Sequence, residues 1–521
     1  MTSGQNHPQH PQQLPQYPQY PQQLPQYSQY PQQLPQYQQQ PQQVPQYQQQ
    51  PPPQQPLPQQ PPQPPPPRRR TGLWVALGVA AVVLTVGGGA VVGLMLKSDE
   101  QTGPSAAETA AADPQTVIVT EKALKALLEE ETKALNSGDV KAYTKIFDQK
   151  NTTLVRQQAR TFENLRKLPL TRMSYQTRQQ QGRAQDSFGR GVTFTLDVAF
   201  VHQFKGIDLA PVSEWYRWTV NKAAANAPIV VTKVAGAPAP YGESKTIYYP
   251  GPWDIWPDIS AVTTKHTVVL SHPDLAGQAA RFAPVAERAA VNDLTFWKNS
   301  GGRSDAIPDG FVVALVKGQS QLGNLFRKSK ANEAGVSIPI PAVPSLTEPM
   351  PKDVTIGGTR VVMDTTSAFF QTTEGTAEIF RHEFAHSTVA SLDENKANLF
   401  GLDNWLVEGF AEYVANRGRP ISTNVRYEQG RAYIEGRYPQ RFEGTLPDNL
   451  HWDGSMRSFN YLLGHLANRY IAEKYGERKL VEFVAAAYAA GKTEGPMHEV
   501  LGVDMAQFQR QWAGYVRQQL G

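Results

Sequence analysis

The sequence predicts an α+β protein with a single transmembrane helix ahead of its folded part, and three observations carry that expectation. An uncharged run from Gly72 to Leu96 has the length of a membrane span; residues 121 to 236 read as helices followed by alternating strands; and the chain beyond Asp364 reads as mostly helical around a His-Glu-x-x-His sequence.

Taking the elements in order, residues 1 to 67 contain no Asp, Glu, Lys or Arg, and the unit Pro-Gln-Gln-Leu/Val-Pro-Gln-Tyr recurs at 11, 21, 31 and 41. Proline at this density removes backbone donors and forbids helix, and glutamine offers nothing apolar to bury, so an extended tail is expected. Such a tail serves as a solvated spacer or docks into aromatic-lined grooves, with no partner named by the sequence. Arg68, Arg69 and Arg70 precede the apolar run, whose 25 residues reach roughly 37 Å as a helix. With Asp99 and Glu100 following Lys97 on the other flank, the positive-inside rule puts the tail in the cytoplasm. The expected organisation is thus an anchor at 68–97 in the cell membrane, a stalk at 98–115, and extracytoplasmic folded domains beyond.

Composition narrows the chemistry. Fifty Lys and Arg against 46 Asp and Glu, a net charge of +4 over 521 residues, leave no electrostatic footprint for nucleic acid. The absence of cysteine excludes disulfide frameworks, thiolate metal sites and cysteine nucleophiles. Any metal must be held by histidine and carboxylate.

The first folded stretch, 116–236, opens with Leu124, Leu127, Leu128 and Leu135 at helical spacing; Asn136-Ser137-Gly138-Asp139 ends that helix and starts another carrying Tyr143 and Phe147. Val192, Phe194, Leu196, Val198, Phe200 and Phe204 then alternate as a strand, and 214–220 and 228–234 supply two more. This order, with the Ala134-Leu135-Asn136-Ser137-Gly138-Asp139 run, resembles the NTF2-like (SnoaL-like) domains, a cone whose mouth His202 and Asp197 could line. A Gly-, Pro- and Tyr-rich linker, 237–252, separates it from the region 253–521. There, strands are expected at 267–270, 311–316 and 359–364, a helix at 275–297, and a Pro-rich loop at 338–351.

Arg381-His382-Glu383-Phe384-Ala385-His386 lies in a stretch free of Pro and Gly and should be helical. Residues four apart share a helix face, so both imidazoles can reach one tetrahedral ion while Glu383 sits beside its open position. After 21 intervening residues comes Glu408, inside Trp405-Leu406-Val407-Glu408-Gly409-Phe410-Ala411-Glu412-Tyr413. Gly401 and Asp403-Asn404 break the first helix, so the chain can turn back and bring Glu408 to the two histidines as a third ligand. Glu412, one turn on, either accepts the outer N–H of a metal-bound histidine or is a surface carboxylate.

These two segments resemble the gluzincin metallopeptidases, specifically the peptidase MA-like group, through His382, Glu383, His386, Trp405, Leu406, Glu408, Gly409, Ala411 and Tyr413. The resemblance spans about 255–521. It implies a zincin-like domain with a mixed sheet and a helical C-terminal half, one Zn2+ ion, and hydrolysis of peptide or protein substrates with Glu383 as general base. It also implies that the strand 358–364 binds substrate backbone by strand addition, and that a Tyr or His on a later helix stabilises the oxyanion. Tyr461 and His465 compete for that last role. No Gly-x-Met-Glu-Asn sequence is present, so endopeptidase action is expected rather than recognition of a free amine. The rival expectation is a membrane-tethered binding, scaffold or sensor protein that keeps a zinc site without turnover.

Overall fold

A computed structural model describes residues 117–177, 187–189, 191–238, 248–327, 333–342, 355–393, 402–438, 441–449, 452 and 456–521. The repeat tail, the run 72–96 and the stalk lie outside them.

Helix α1 (Glu121–Ser137) buries Leu124, Leu128 and Leu135; the Thr120 hydroxyl caps its start, and Gly138, in the left-handed conformation at φ 78°, ends it. Asp139 then accepts from two backbone N–H groups at the start of α2 (Val140–Thr144), and α3 (Thr152–Arg166) follows behind its Asn151 cap. These helices cover one face of an antiparallel sheet in the order β2 (Leu170–Thr177), β4 (Val192–Phe204), β5 (Val212–Lys222), β6 (Val230–Gly236). The short strands β1 (Val117–Val119) and β3 (Ser187–Gly189) pair with each other.

The second sheet has the order β10 (Gly335–Pro341), β11 (Ile356–Asp364), β9 (Phe311–Val316), β8 (Thr267–Ser271), β7 (Ser260–Thr263). Its three central strands are parallel and wholly apolar or buried, whereas β10 and β7 are antiparallel additions at the edges. Burial on both faces explains why Phe311–Val316 is a continuous apolar run rather than an alternating one. Helix α4 (Ala276–Asn299) and helix α5 (Thr373–Val389) pack on this sheet through Ala279, Ala283, Ala286, Phe380 and Phe384. The remainder is helical: α6 (Asn404–Asn416), α7 (Tyr427–Ile434), α8 (Arg457–Tyr475), α9 (Glu477–Ala490) and α10 (Met505–Leu520).

A single apolar core runs from Val117 through the first sheet to Val362 of the second. Across it, Arg360 on β11 forms a bidentate pair with Asp208 at 2.7 and 3.0 Å and approaches Nε2 of His202 at 3.3 Å; both charges of the pair are almost wholly excluded from solvent. His202 is therefore a buried junction residue, and Asp197 is taken up by Arg217 at 2.7 Å on the neighbouring strand.

Two expectations are corrected. The fold class with a transmembrane helix gives way to a mixed α+β fold, because no helix among the described residues is long and apolar enough to cross a membrane. The strand implied to receive substrate, 358–364, is not an edge: β11 is hydrogen-bonded to β10 on one side and β9 on the other. The edge is β10, in part of the stretch expected to be a Pro-rich loop. Pro339 and Pro341 cannot donate to a ladder, which disguises a strand in sequence and is tolerated at a sheet edge.

Candidate metal centre

Helix α5 carries the first donors. Thr372 caps it by accepting from the Gly375 N–H at 3.0 Å, and Phe384 stacks on Phe311 of β9 with ring centroids 4.2 Å apart. Residues two apart on a helix stand about 200° around its axis. Burying Phe380 and Phe384 against the sheet therefore turns His382 and His386 to the opposite side, into a cavity of about 730 Å³. Arg381 locks the helix in place: it pairs with Asp293 of α4 at 3.2 Å and donates to the Ala415 carbonyl at the end of α6 at 2.9 Å and to that of Val414.

The third donor arrives on α6, which lies against α8 at unusually close range. A Cβ built on Gly464 would stand 3.1 Å from Gly409 Cα, and Asn468 donates to the Trp405 carbonyl at 3.1 Å across the same contact. Glu408, next to Gly409, is thereby held over the histidines. His382 Nε2 and His386 Nε2 are 3.2 Å apart, and Glu408 Oε2 is 3.3 Å from the first and 3.4 Å from the second. A tetrahedral ion with bonds of about 2.0–2.1 Å holds its ligand atoms roughly 3.3–3.4 Å apart. The triangle of donor atoms thus has the dimensions of one face of such a site, and two imidazoles with a carboxylate are the donor set zinc takes. Among the described residues, these three are the group that could hold a metal ion.

Behind the triangle, Glu412 Oε1 lies 3.4 Å from His382 Nδ1, and its other oxygen accepts from Arg426 at 2.9 Å. Burial opposes charge on Glu412, but Arg426 and then His382 outweigh it and hold its pKa down at about 2. A carboxylate that stays charged there keeps the His382 ring oriented with Nε2 toward the cavity. Glu408 is also held well below the ordinary carboxylate value: burial works against its charge, and His386 and His382 overcome that. Glu383 goes the other way. Burial raises its pKa, the two histidines oppose the shift, and Glu408 and Glu333 add to it. The two carboxylates on one wall are thus shifted in opposite directions, Glu408 down and Glu383 up.

Glu383 is wedged against β10, where a Cβ on Gly335 would come 2.9 Å from its Cγ. Tyr461, on the first turns of α8, lines the cavity with its ring centroid 6.2 Å from that of His382, and Trp452 packs edge-on against it at 5.1 Å. His465, one turn further, is buried beside Asn424 at 3.4 Å and is not on the cavity wall; burial lowers its pKa to about 4. Of the residues expected from sequence, His382, Glu383, His386, Glu408, Glu412 and Tyr461 therefore meet in one cavity, and His465, His202 and Asp197 stand outside it.

Sequence reading missed Arg426, Arg457, Arg381 and the Gly409–Gly464 contact. The two glycines sit mid-helix, where glycine is unfavourable unless a close approach needs it, and that was the available signal. The arginines carried none, since their partners are far away in the chain.

No protein-family model and no curated protein sequence matches the chain. Among solved structures it is similar to an M1 zinc metallopeptidase from Deinococcus radiodurans, with a TM-score of 0.26 and 12% identity over 63% of this chain and 90% of that one. It is likewise similar to a mutant of a two-domain M1 zinc metallopeptidase bound to L-arginine, with a TM-score of 0.27 and 12% identity over 62% of this chain and 90% of that one. Neither likeness carries an activity to this chain, and none supports the NTF2-like resemblance of residues 116–236.

Proposed function

We propose that this protein is a zinc-dependent peptidase that cleaves peptide bonds within peptides or proteins. The observation that carries the reading is the donor triangle of 3.2, 3.3 and 3.4 Å with Glu383 beside it on the same cavity wall. A triangle open to a large cavity is the arrangement of a catalytic rather than a closed structural zinc site, which counts against the rival of a zinc-bearing scaffold.

His382, His386 and Glu408 would hold the ion, which would supply Lewis-acid polarisation of the scissile carbonyl and a lowered pKa for water. Glu383 takes the proton from the attacking water and delivers it to the departing amine, the role its raised basicity suits. Tyr461, with its hydroxyl kept protonated because burial and then Glu408 raise its pKa, donates to the oxyanion. The start of β10, Gly335 to Ser337, lines the cavity and offers an edge to which an extended substrate adds as a further strand.

The test is zinc analysis of the full chain together with cleavage of a peptide library by the wild type and Glu383→Gln. Stoichiometric zinc in both proteins, with turnover lost by a factor of about 10²–10⁴ in the variant, is expected. Equal turnover by the two proteins, or no zinc in the wild type, overturns the reading.

A further inference from the structure

The cavity has a cationic end. Arg426, which precedes α7, and Arg457, the first residue of α8, both line it, and both guanidinium groups lie over the ring of Tyr461, at 5.0 and 5.9 Å from its centroid. Ser458 lines the cavity next to Arg457, and among the described residues no side chain caps the start of the 19-residue α8. Two guanidiniums, a hydroxyl and the positive end of a long helix therefore converge beside the catalytic tyrosine.

This end stands apart from the rest of the lining, whose other formally charged side chains are carboxylates among apolar residues and the two histidines. The carboxylates near it have partners of their own: Glu412 is shared by His382 and Arg426, and Glu378, another lining residue, pairs with Arg419 at 3.1 Å. Arg426 is held by Glu412 and so has a structural task besides. Arg457 rests on the ring of Tyr461, which faces the histidines.

We propose that Arg457 and Arg426 form a subsite for a carboxylate of the substrate, so that the peptidase selects peptides bearing a negative charge close to the cleaved bond. This rests on the peptidase reading and names its substrate class. The distance is set by a short path: Arg426 reaches His382 through one carboxylate, and Tyr461 stands 6.2 Å from the same ring. A residue of extended chain spans about 3.3–3.6 Å, which puts the carboxylate one or two residues from the scissile bond. That charge is either an Asp or Glu side chain or the peptide's own C-terminus. The fork of five N–H donors on each guanidinium matches either one bidentately.

The experiment uses the zinc-loaded full chain and three series of one peptide scaffold: neutral and C-terminally amidated; amidated with Glu one or two residues from the cleaved bond; and neutral with a free C-terminus at that distance. The readouts are kcat/KM for the wild type and the Kd of each peptide for Glu383→Gln by calorimetry. One charged series is expected to exceed the neutral amide by at least about tenfold in both. The series that does so identifies the source of the charge. Arg457→Ala should collapse the ratio to within about twofold of unity, and Arg457→Lys should keep part of it. Equal values for all three series, or a ratio that survives Arg457→Ala, overturns the subsite. If no peptide is cleaved, the peptidase reading fails, while the Kd ratios in the Glu383→Gln protein still decide the subsite.

Discussion

Gly409 on α6 meets Gly464 on α8 so closely that a Cβ on Gly409 would come 2.4 Å from the Gly464 carbonyl oxygen, and this contact sets the position of Glu408. Replacing Gly409 by Ala forces the two helices apart, because the added methyl faces the Gly464 backbone and the Asn468 amide rather than the end of a flexible side chain. Gly409→Ala should destabilise the fold by about 1–3 kcal/mol, as overpacking does, and weaken zinc binding as Glu408 is carried away from the histidines. Denaturant unfolding read beside a zinc titration measures both, and unchanged zinc affinity would disconnect the helix contact from the metal triangle.

Glu412 reaches the metal site only through His382. Glu412→Gln keeps the size of the side chain and removes its charge, which leaves Arg426 without its ion pair and His382 without a charged acceptor at Nδ1. Zinc affinity should drop about 10–100-fold. Competition with a chelator of known affinity gives the number.

The Tyr461 hydroxyl is proposed to act on the oxyanion, so Tyr461→Phe should lower kcat by about 10²–10³ with little change in KM. His465→Gln, at a buried position off the cavity wall, should leave the kcat/KM ratio between acidic and neutral peptides as it is in the wild type. An effect confined to His465 in steady-state kinetics would reverse the assignment.

The Arg360–Asp208 pair joins β11 to the turn after β4 in the interior. Asp208 also accepts from the Phe204 N–H at 2.8 Å, so Asp208→Ala leaves one buried cation and one buried amide without their acceptor. A loss of about 3–5 kcal/mol is expected from urea unfolding. A double replacement by apolar residues of similar volume should recover much of it.

Asp254 sits in the same interior, where Tyr216 and the Gly251 N–H donate to it at 3.0 and 2.9 Å. Burial raises its pKa from 3.8 to about 7. A carboxyl that is harder to ionise when folded costs nothing while both states are protonated and penalises folding once the unfolded state ionises. Its effect on stability is therefore absent below about pH 4, grows as pH rises, and is complete above about pH 7. The melting temperature of the wild type relative to Asp254→Asn should fall across that window, and a flat difference would contradict the shift.

The pair His382 and His386, with Glu383 between them, was legible because four residues make about one helical turn, so spacing alone puts both rings on one face. Phe380 and Phe384 in the same stretch then point that face away from the sheet. Tyr461 was legible only as one of two choices, since the four residues separating it from His465 give both nearly the same azimuth; in the fold Tyr461 lines the cavity and His465 is buried beside Asn424 and Tyr413. Strand β10 was not legible at all: Pro339 and Pro341 read as loop until β11 is seen to need a partner on that side.

By itself, then, the sequence determined what local periodicity can carry: the helix of His382 and His386, a carboxylate beside them, and a third carboxylate on a returning helix. It also determined that no thiolate could take part, for want of cysteine. The tertiary structure decided how close Glu408 comes, which strand forms the edge, and that Arg426 and Arg457 share a cavity with Tyr461. Those relations join residues tens of positions apart through packing of one helix on another, and contacts of that range leave no periodic trace in a single chain.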